Sequence, residues 1–293
     1  MFAQGTAAMK VDVMIIGAMK CGTTTLADLL KAHPQVDLCA QKEPEFFSKH
    51  ADPLAALPEY HALFDQNASK LHAEASTGYT FLPHFRLDVP ELVHRYNPDV
   101  KLIYLVRDPI ERTVSHYMHV YERGYIDLSL VEAVRTLPLM INVSRYTTQL
   151  KPWMERFGRK AILLLDFADL INDRDTVLAR VADHLGIDRS GFPPAAGVHS
   201  NRSIGGNKTH HAFDKPPRWA RIGWNLTPAP FRSRLWTSIA RGKARPFDTK
   251  PELPAEWKRS VMRLLELEVI ELEKLMGKDL SAWWTSAGLE RDR

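Results

Sequence analysis

The chain has 293 residues, of which 45% are hydrophobic and 25% are charged, so its composition is that of a globular protein and excludes wholesale disorder. The formal net charge of +4 suits an anionic ligand but does not by itself indicate nucleic acid. The two cysteines, Cys21 and Cys39, exclude a disulfide framework and a CxxC metal pair. We therefore expect one large domain over residues 1–293.

The predicted elements alternate between strands and helices. Residues 11–16 (VDVMII) are a short apolar run ending at Gly17, which is typical of a buried parallel strand. Residues 24–32 predict a helix with Leu26, Leu29 and Leu30 on one face. Further strands are predicted at 36–40, 71–75, 101–106 and 161–166, and a helix at 173–185 that ends at Gly186. This alternation predicts an α/β fold with a central parallel β-sheet flanked by helices, whose ligands bind at the carboxyl ends of the strands.

The C-terminal third has a different pattern. Residues 187–210 are rich in Gly, Pro, Asn and Ser and predict a loop that completes a core spanning 11–210. Region 211–252 is basic and aromatic, with no acidic residue between Lys215 and Pro246, and is interpreted as an acceptor lid, a membrane-surface contact or an ordinary charged loop. A C-terminal amphipathic helix is predicted at 253–286, with its strongest part at 254–276 and an apolar face formed by Val261, Leu264, Leu265 and Ile270.

The loop at 17–25 (GAMKCGTTT) has a composition suited to anions. Gly17 and Gly22 keep the glycine spacing of a Walker A loop, but Thr23 stands where that loop has lysine, and Lys20 lies two residues before Gly22. A strand, a glycine turn and a helix N-terminus together direct backbone N–H groups at an anion. Strand 101–106 is followed by Arg107 rather than by the aspartate that helps to hold Mg²⁺ in Walker-type enzymes. A plain tight turn with a solvated lysine is the alternative.

Several motifs resemble those of sulfotransferases that use 3′-phosphoadenosine 5′-phosphosulfate (PAPS). GAMKCGTTTL resembles their 5′-phosphosulfate loop, and LVRDPIERTVSHY resembles their 3′-phosphate motif, with Arg107 and Ser115 as the matching arginine and serine. QKEPEFFS and AEASTGY are similar to segments of the heparan sulfate sulfotransferase branch. HSNRSIGGN is placed like the loop that closes over the nucleotide in that family. The resemblance covers about residues 11–210 and is stronger on the cofactor side than on the acceptor side.

The resemblance implies a P-loop-like three-layer fold, PAPS as co-substrate, the bisphosphate PAP as product, and no metal. The sulfuryl group that PAPS transfers carries one negative charge, fewer than a terminal phosphoryl group, so a metal is less needed. Lysine and backbone donors are expected to stabilise the charge that develops on the leaving phosphate. The cofactor-binding residues implied are Lys20, Cys21, Gly22, Thr23, Thr24, Thr25, Arg107, Ser115, Asn201, Arg202 and Ser203. From the residues alone, Arg107 offers a planar fork of donors for phosphate, and the alternative is a surface arginine paired with Asp108 or Glu111.

Sulfuryl transfer also requires a group that removes the acceptor proton. Glu43 stands where the resemblance places the catalytic carboxylate, and Lys20 is the second catalytic candidate at the bridging oxygen. Glu74, expected after the strand at 71–75, is the runner-up base. A solvated carboxylate before a proline is the alternative for Glu43.

The candidate acceptor-binding residues are Lys42, Glu45 and Tyr79. Glu45 falls where some relatives carry histidine, and Tyr79 is either an acceptor-side aromatic or part of the core. His116 and His119, three residues apart, are interpreted as structural or close to the nucleotide rather than as metal ligands.

The hypothesis from the sequence is a cytoplasmic, metal-independent sulfotransferase that acts on a carbohydrate or glycoconjugate. The location is an expectation from the absence of a hydrophobic signal segment and of a run of about 18 apolar residues. Alternatives are a small natural product or lipid as acceptor, a P-loop kinase, and a non-catalytic nucleotide-binding module. No nucleic-acid partner is expected, peripheral membrane contact stays open, and the sequence does not predict an oligomeric state.

Overall fold

The computed structural model describes residues 9–65, 69–194 and 247–290. Its strands are β1 (Val13–Gly17), β2 (Val36–Leu38), β3 (Leu71–Ala75), β4 (Lys101–Val106) and β5 (Ile162–Asp166). They form a five-stranded sheet in the order β2-β3-β1-β4-β5, and all neighbouring strands run parallel. The order places β1 at the centre of the sheet, so the loop that follows β1 lies between those that follow β3 and β4.

Helices connect the strands and flank the sheet. In the first half they are α1 (Thr23–Lys31), α2 (Phe46–Lys49), α3 (Leu57–His61), a 3₁₀ turn (Thr77–Thr80), α4 (Val89–Tyr96) and α5 (Pro109–Glu122). The second half has α6 (Leu130–Thr136), α7 (Leu139–Asn142), α8 (Tyr146–Phe157), α9 (Phe167–Asn172) and α10 (Arg174–Leu185). After the gap come α11 (Ala255–Leu264), α12 (Glu266–Met276) and α13 (Ser281–Ser286). The α/β architecture expected from the sequence is confirmed.

Strand positions follow the apolar runs closely. β1 and all but the first residue of β4 are buried, because helices cover both faces of a parallel sheet and leave no polar face. The boundaries predicted for β3 and β4 are confirmed to the residue. β2 is shorter than expected and ends at Leu38, at the edge of the sheet.

The predicted helix boundaries also have local causes. In α1, the three leucines expected on one face are buried. The side chain of Asp173 accepts a hydrogen bond from the backbone N–H of Thr176 and so caps the first turn of α10. Gly186 ends that helix in the left-handed region, at φ 73°, where a glycine has no steric penalty.

The single C-terminal helix predicted at 253–286 is wrong, because the segment forms three helices. The first break is at Leu265, whose backbone leaves the helical region at φ −102° and ψ 5°. Buried side chains nevertheless recur at helical spacing, at Val261, Leu265, Val269 and Leu272. Leu264 is not one of these positions: it is 56% exposed and so is not part of the predicted apolar face.

The basic stretch 215–246 lies outside the described residues, as do Asn201, Arg202 and Ser203. Within the three described ranges, none of the helices has both the length and the apolar content needed to cross a bilayer.

A buried carboxylate attaches the C-terminal helices to the core. α8 begins without a side-chain cap of its own. Oε2 of Glu268, on α12, accepts hydrogen bonds from the backbone N–H groups of Thr147 (3.0 Å) and Thr148 (3.1 Å) and from the Thr147 hydroxyl (2.5 Å). The Thr148 hydroxyl donates to the other oxygen. Glu268 therefore caps α8 from another part of the chain. Its negative charge also interacts favourably with the positive end of the α8 helix dipole.

We predict that Glu268→Gln lowers the free energy of unfolding by about 1–3 kcal/mol, because charge-assisted bonds to the first turn of α8 become neutral ones. Urea denaturation at fixed pH measures this change. Glu266→Gln, at an exposed position of the same helix, is the matched control and should change stability by less than about 0.5 kcal/mol. Equal effects of the two substitutions would contradict the capping role.

Candidate functional site

The loops that follow β1, β3, β4 and β5 meet at the carboxyl edge of the sheet. Register pairs Ile15 with Ala75 on one side of β1, and Gly17 with Tyr104 on the other. The candidate residues 18–25, 76–79 and 107–115 consequently come together at one edge, although they are far apart in sequence.

The loop after β1 ends in a helix N-terminus suited to an anion. Gly22 precedes α1 in the left-handed region, at φ 89°, and no side chain caps the first turn of this helix. That turn also contains no acidic residue. The backbone N–H groups of Thr23, Thr24 and Thr25 therefore point out of the helix end without a side-chain acceptor, the arrangement that binds phosphate in other loops of this kind.

Cys21 faces the core rather than the loop opening. Its side chain is fully buried, and its sulfur lies 3.7 Å from the hydroxyl of Tyr146. Burial raises the pKa of the Cys21 thiol to about 11. The Cys21 N–H bonds the carbonyl of Ala18 at 3.2 Å, inside the turn. The Cys21 side chain therefore packs in the core, and a cofactor contact from this residue stays a prediction.

Phe167, the first residue of α9, packs against both the loop after β1 and Arg107. A Cβ atom on Gly22 would lie 2.5 Å from its ring, so the ring fills the space next to the loop and only glycine fits there. The guanidinium carbon of Arg107 lies 4.7 Å from the centre of the same ring, within cation–π range. Phe167 thus fixes the loop and the arginine relative to each other.

Arg107 leaves the end of β4 and reaches the loop after β1. Its Nη1 donates to the carbonyl oxygen of Lys20 at 3.3 Å, and its Nη2 pairs with Oε2 of Glu111 at 3.1 Å. The hydroxyl of Tyr146 donates to the Arg107 carbonyl oxygen at 2.6 Å and holds the backbone at this point. The structure therefore brings together the two predicted phosphate-binding residues, Lys20 and Arg107.

The helix that carries Ser115 differs from α1 at its N-terminus. Oδ1 of Asp108 accepts from the N–H groups of Ile110 (2.8 Å) and Glu111 (3.2 Å), so the first turn of α5 is already capped. Ser115 lies in the second turn and is largely buried. Any anion bound at α5 must consequently be held by side chains rather than by the amides of its first turn.

Close to Ser115 in the sequence of α5, Arg112 and His116 form a buried polar cluster with Ser144, which lies just before α8. Arg112 is fully buried and donates to the hydroxyl of Ser144 at 2.5 Å and to the carbonyl of Met140. Nδ1 of His116 is 3.4 Å from its Nη1. Burial, with a further contribution from the charge of Arg112, lowers the pKa of His116 to about 2, so this histidine is neutral. The geometry gives His116 a structural role inside the helix.

Glu43 is held by the turn that follows β3. Its Oε2 accepts hydrogen bonds from the hydroxyl of Thr77 at 2.9 Å and from the Thr77 N–H at 3.2 Å. Burial raises the pKa of the Glu43 carboxyl, while the two bonds from Thr77 oppose this shift. The result is an oriented carboxylate that is more basic than an exposed one.

Backbone strain is concentrated at the predicted site residues. In the described part of the chain, the non-glycine residues with positive φ are Lys20 (70°), Glu43 (50°) and Glu45 (49°). Such conformations are unfavourable for residues with a Cβ and persist where the surroundings impose them, frequently at functional sites. The strained positions fall in the two loops to which the sequence assigned chemistry.

The remaining acceptor-side candidates divide into exposed and buried groups. Lys42 is exposed. The N–H of Glu45 donates to Oγ of Ser76 at 2.9 Å, and its carboxylate pairs with Lys49 at 3.1 Å. The same carboxylate packs against Gly78, where a Cβ would lie 2.5 Å away. Glu45 therefore joins the loop after β2 to the 3₁₀ turn.

The side chains of Glu74 and Tyr79 are buried, which corrects the expected position of Glu74 after the strand and agrees with the second alternative for Tyr79, a place in the core. Glu74 lies within β3 rather than after it and is 0% exposed. Burial raises its pKa to about 8, against smaller lowering effects of the Tyr79 and Tyr60 hydroxyls. Tyr79 is 1% exposed, and its hydroxyl accepts from the N–H of Phe47. Glu74 belongs to the core because β3 is an inner strand of the sheet, covered by helices. Tyr79, in the 3₁₀ turn after β3, is buried against the rings of Phe47 and Trp153.

Three residues that complete the site were not singled out in the sequence. Thr77 lies inside the motif AEASTGY, so its hydroxyl, two residues after the strand, was a recognisable signal. Phe167 follows the fifth strand directly, the position from which parallel strands present side chains at the binding edge. No sequence pattern identifies Tyr146 as a site residue, because α8 reaches Arg107 only through tertiary packing.

Among the described residues, no three His, Cys, Asp or Glu side chains come together as a metal site would require.

Comparisons with known proteins identify similar sequences among the sulfotransferases. Residues 10–201 match the family model described as sulfotransferase domain. The chain is 26% identical over 223 residues to mouse carbohydrate sulfotransferase 15 (53% of this chain, 40% of that protein). It is 29% identical over 188 residues to human heparan sulfate glucosamine 3-O-sulfotransferase 3B1 (61% of this chain, 46% of that protein). The chain thus matches less than half of the length of these curated relatives.

A solved sulfotransferase from Alicyclobacillus acidocaldarius has the same fold. It superposes with a TM-score of 0.65 over 94% of this chain and 99% of its own, at 22% identity. Since the family match covers more than half of the residues and includes both predicted phosphate-binding motifs, the chain belongs to the sulfotransferase domain family.

Proposed function

We propose that this protein transfers a sulfuryl group from PAPS to a hydroxyl or amine of an acceptor, most simply a carbohydrate or glycoconjugate. The observation that carries the proposal is the hydrogen bond from Arg107 to the carbonyl of Lys20. It joins the anion loop after β1 to the arginine after β4, so that one cationic site spans both phosphate-binding motifs. Glu43, the base candidate, is held by a turn at the same edge.

The residues present fit the nucleotide in two respects. The first turn of α1 lacks a side-chain cap and acidic residues, so the amides and hydroxyls of Thr23, Thr24 and Thr25 suit the 5′-phosphosulfate. Arg107 has a planar fork of donors, and Ser115 a hydroxyl, for the 3′-phosphate. Asn201, Arg202 and Ser203 keep their proposed role in closing over the nucleotide, although they lie outside the described residues.

PAPS supplies a sulfuryl group on a phosphate leaving group. In the proposed reaction, the acceptor oxygen or nitrogen forms a bond to sulfur while the bond from sulfur to the bridging oxygen breaks. The carboxylate of Glu43 takes the acceptor proton, which the Thr77 bonds orient it to do. Lys20 stabilises the negative charge that develops on the leaving phosphate. Lys42 and Glu45 lie within two residues of Glu43 in the sequence and are proposed to contact the acceptor.

The carbohydrate acceptor is supported by two observations. The matched relatives carry the names of a carbohydrate sulfotransferase and a heparan sulfate sulfotransferase. The exposed Lys42 offers a cation next to the base, as an acidic glycan would require. A small natural product or a lipid is the alternative acceptor.

Nucleotide binding is tested first by thermal melting with 3′,5′-adenosine bisphosphate, and with ADP or ATP plus Mg²⁺ at matched concentrations. At a ligand concentration of about a hundred times Kd, binding adds about 2.7 kcal/mol to native-state stability, so we expect the bisphosphate to raise the melting temperature by a few degrees. A rise with ATP and Mg²⁺ alone would instead support a kinase.

We expect Lys20→Met to reduce the transfer rate by about 10²–10³-fold, because a charge that stabilises the leaving phosphate is removed. Single-turnover assays with PAPS and an acceptor measure the rate. The control is Lys31→Met, which removes an exposed lysine from the last turn of α1 and should leave the rate unchanged. Equal rates for the two variants would remove Lys20 from the reaction.

Glu43→Gln should lower the transfer rate by about 10²–10⁴-fold, since the amide cannot accept the proton. In the wild type the rate should increase with pH as the Glu43 carboxyl ionises, in a pH range above that of an ordinary glutamate because burial raises its pKa. Thr77→Val removes the side-chain bond that favours the ionised form, so the rise should move to higher pH. An unchanged pH profile in Thr77→Val would exclude Glu43 as the titrating base. The control for Glu43→Gln is Glu59→Gln, at an exposed position.

A further inference from the structure

Two cations share one carboxylate oxygen beside the proposed 3′-phosphate site. Oε2 of Glu111 pairs with Nη2 of Arg107 at 3.1 Å and also with Nζ of Lys250. The side chain of Glu111 is 41% exposed, that of Lys250 37% and that of Arg107 19%. Lys250 comes from the segment before α11, so the lysine and the arginine approach Glu111 from different parts of the chain.

Glu111 lies where a bound phosphate would compete with it. It precedes Ser115 by four residues in α5, and positions four apart lie on the same helix face. The proposed function places the 3′-phosphate on Arg107 and Ser115, so the phosphate must approach the Glu111 carboxylate. Two anions on neighbouring positions of one helix face repel each other unless a cation separates or neutralises them.

We propose that Glu111 is a resident counter-ion that competes with the 3′-phosphate of the nucleotide for Arg107. In this arrangement Lys250 retains the carboxylate when the phosphate binds and so lowers the repulsion between the two anions. The pair then sets the affinity for nucleotides with a 3′-phosphate and the rate at which the bisphosphate product leaves. The inference rests on the proposed function and adds to it two residues that the sequence motifs do not assign to phosphate binding.

A comparison with the neighbouring carboxylate, Asp108, supports Glu111 as the anion that competes for Arg107. Asp108, the other carboxylate at this helix end, is already bonded to two backbone N–H groups of α5 and to the hydroxyl of Ser286. Burial raises the pKa of the Asp108 carboxyl. Burial also acts to raise the pKa of Glu111, but Lys250 and Arg107 together outweigh it and lower that pKa. Glu111 is therefore the half-exposed carboxylate at this end of the site, and both neighbouring cations favour its ionised form.

The test measures the affinities of 3′,5′-adenosine bisphosphate and of 5′-AMP, which lacks the 3′-phosphate, by titration calorimetry. Glu111→Gln should tighten binding of the bisphosphate about tenfold and slow its dissociation, because Arg107 no longer has a competing anion. Lys250→Met should weaken it about tenfold, since the Glu111 charge then remains on Arg107 and faces the phosphate. Neither variant should change the affinity for 5′-AMP, and Lys274→Met, which removes an exposed lysine from α12, should change neither affinity.

Opposite effects of the two variants, confined to the bisphosphate, would support the inference. Weaker bisphosphate binding in Glu111→Gln would overturn it, because Glu111 would then position Arg107 instead of competing for it. Equal changes for both nucleotides would also overturn it and leave the ion pair as a tether between α5 and the 247–250 segment. Glu111→Ala repeats the test with a second variant. A wild-type protein that does not prefer the bisphosphate to 5′-AMP would instead contradict the proposed function.

Discussion

The site depends on one contact, the hydrogen bond from the Arg107 guanidinium group to the carbonyl oxygen of Lys20. Because β1, β4 and β5 are neighbouring parallel strands, this bond joins the loops after β1 and β4, and Phe167 packs against both from the end of β5. An arginine suits this position because its planar group uses one edge for the protein and keeps further donors for an anion. The hydroxyl of Tyr146 fixes the arginine backbone at the same point.

Three glutamates near this edge show how position sets the chemistry of one side-chain type. Glu74 lies inside a strand, and burial makes it a weak acid with a pKa of about 8. Glu43 lies in a loop and is oriented by two hydrogen bonds from Thr77, and burial raises the pKa of its carboxyl while these bonds oppose the shift. Glu45, two residues on, pairs with Lys49 and braces the 3₁₀ turn. Glu43 is the one of the three that the turn after β3 holds through its carboxylate, by two hydrogen bonds from Thr77, which supports its proposed role as base.

Local patterns predicted most of the fold. The apolar runs placed the strands, as in β3 and β4, and cap residues such as Asp173 and Gly186 set helix ends, because these signals act within a few residues. The roles of Tyr79 and Cys21 could not be decided in this way. Whether an aromatic ring or a thiol faces the site or the core depends on the elements packed around it. The same limit applies to Leu264, whose exposed position depends on which side of α11 meets the core.

The sequence by itself determined the α/β class, the glycine loop with its lysine, and the arginine and serine of the second motif, since these are contiguous patterns with a local physical meaning. Tertiary structure decided which carboxylate is oriented and accessible, how α8 is capped by Glu268, and that Glu111 and Lys250 meet at Arg107. Those pairings join residues from distant segments, up to 139 positions apart for Glu111 and Lys250. No local pattern encodes them, because they exist only when the parallel sheet and its covering helices bring the segments together.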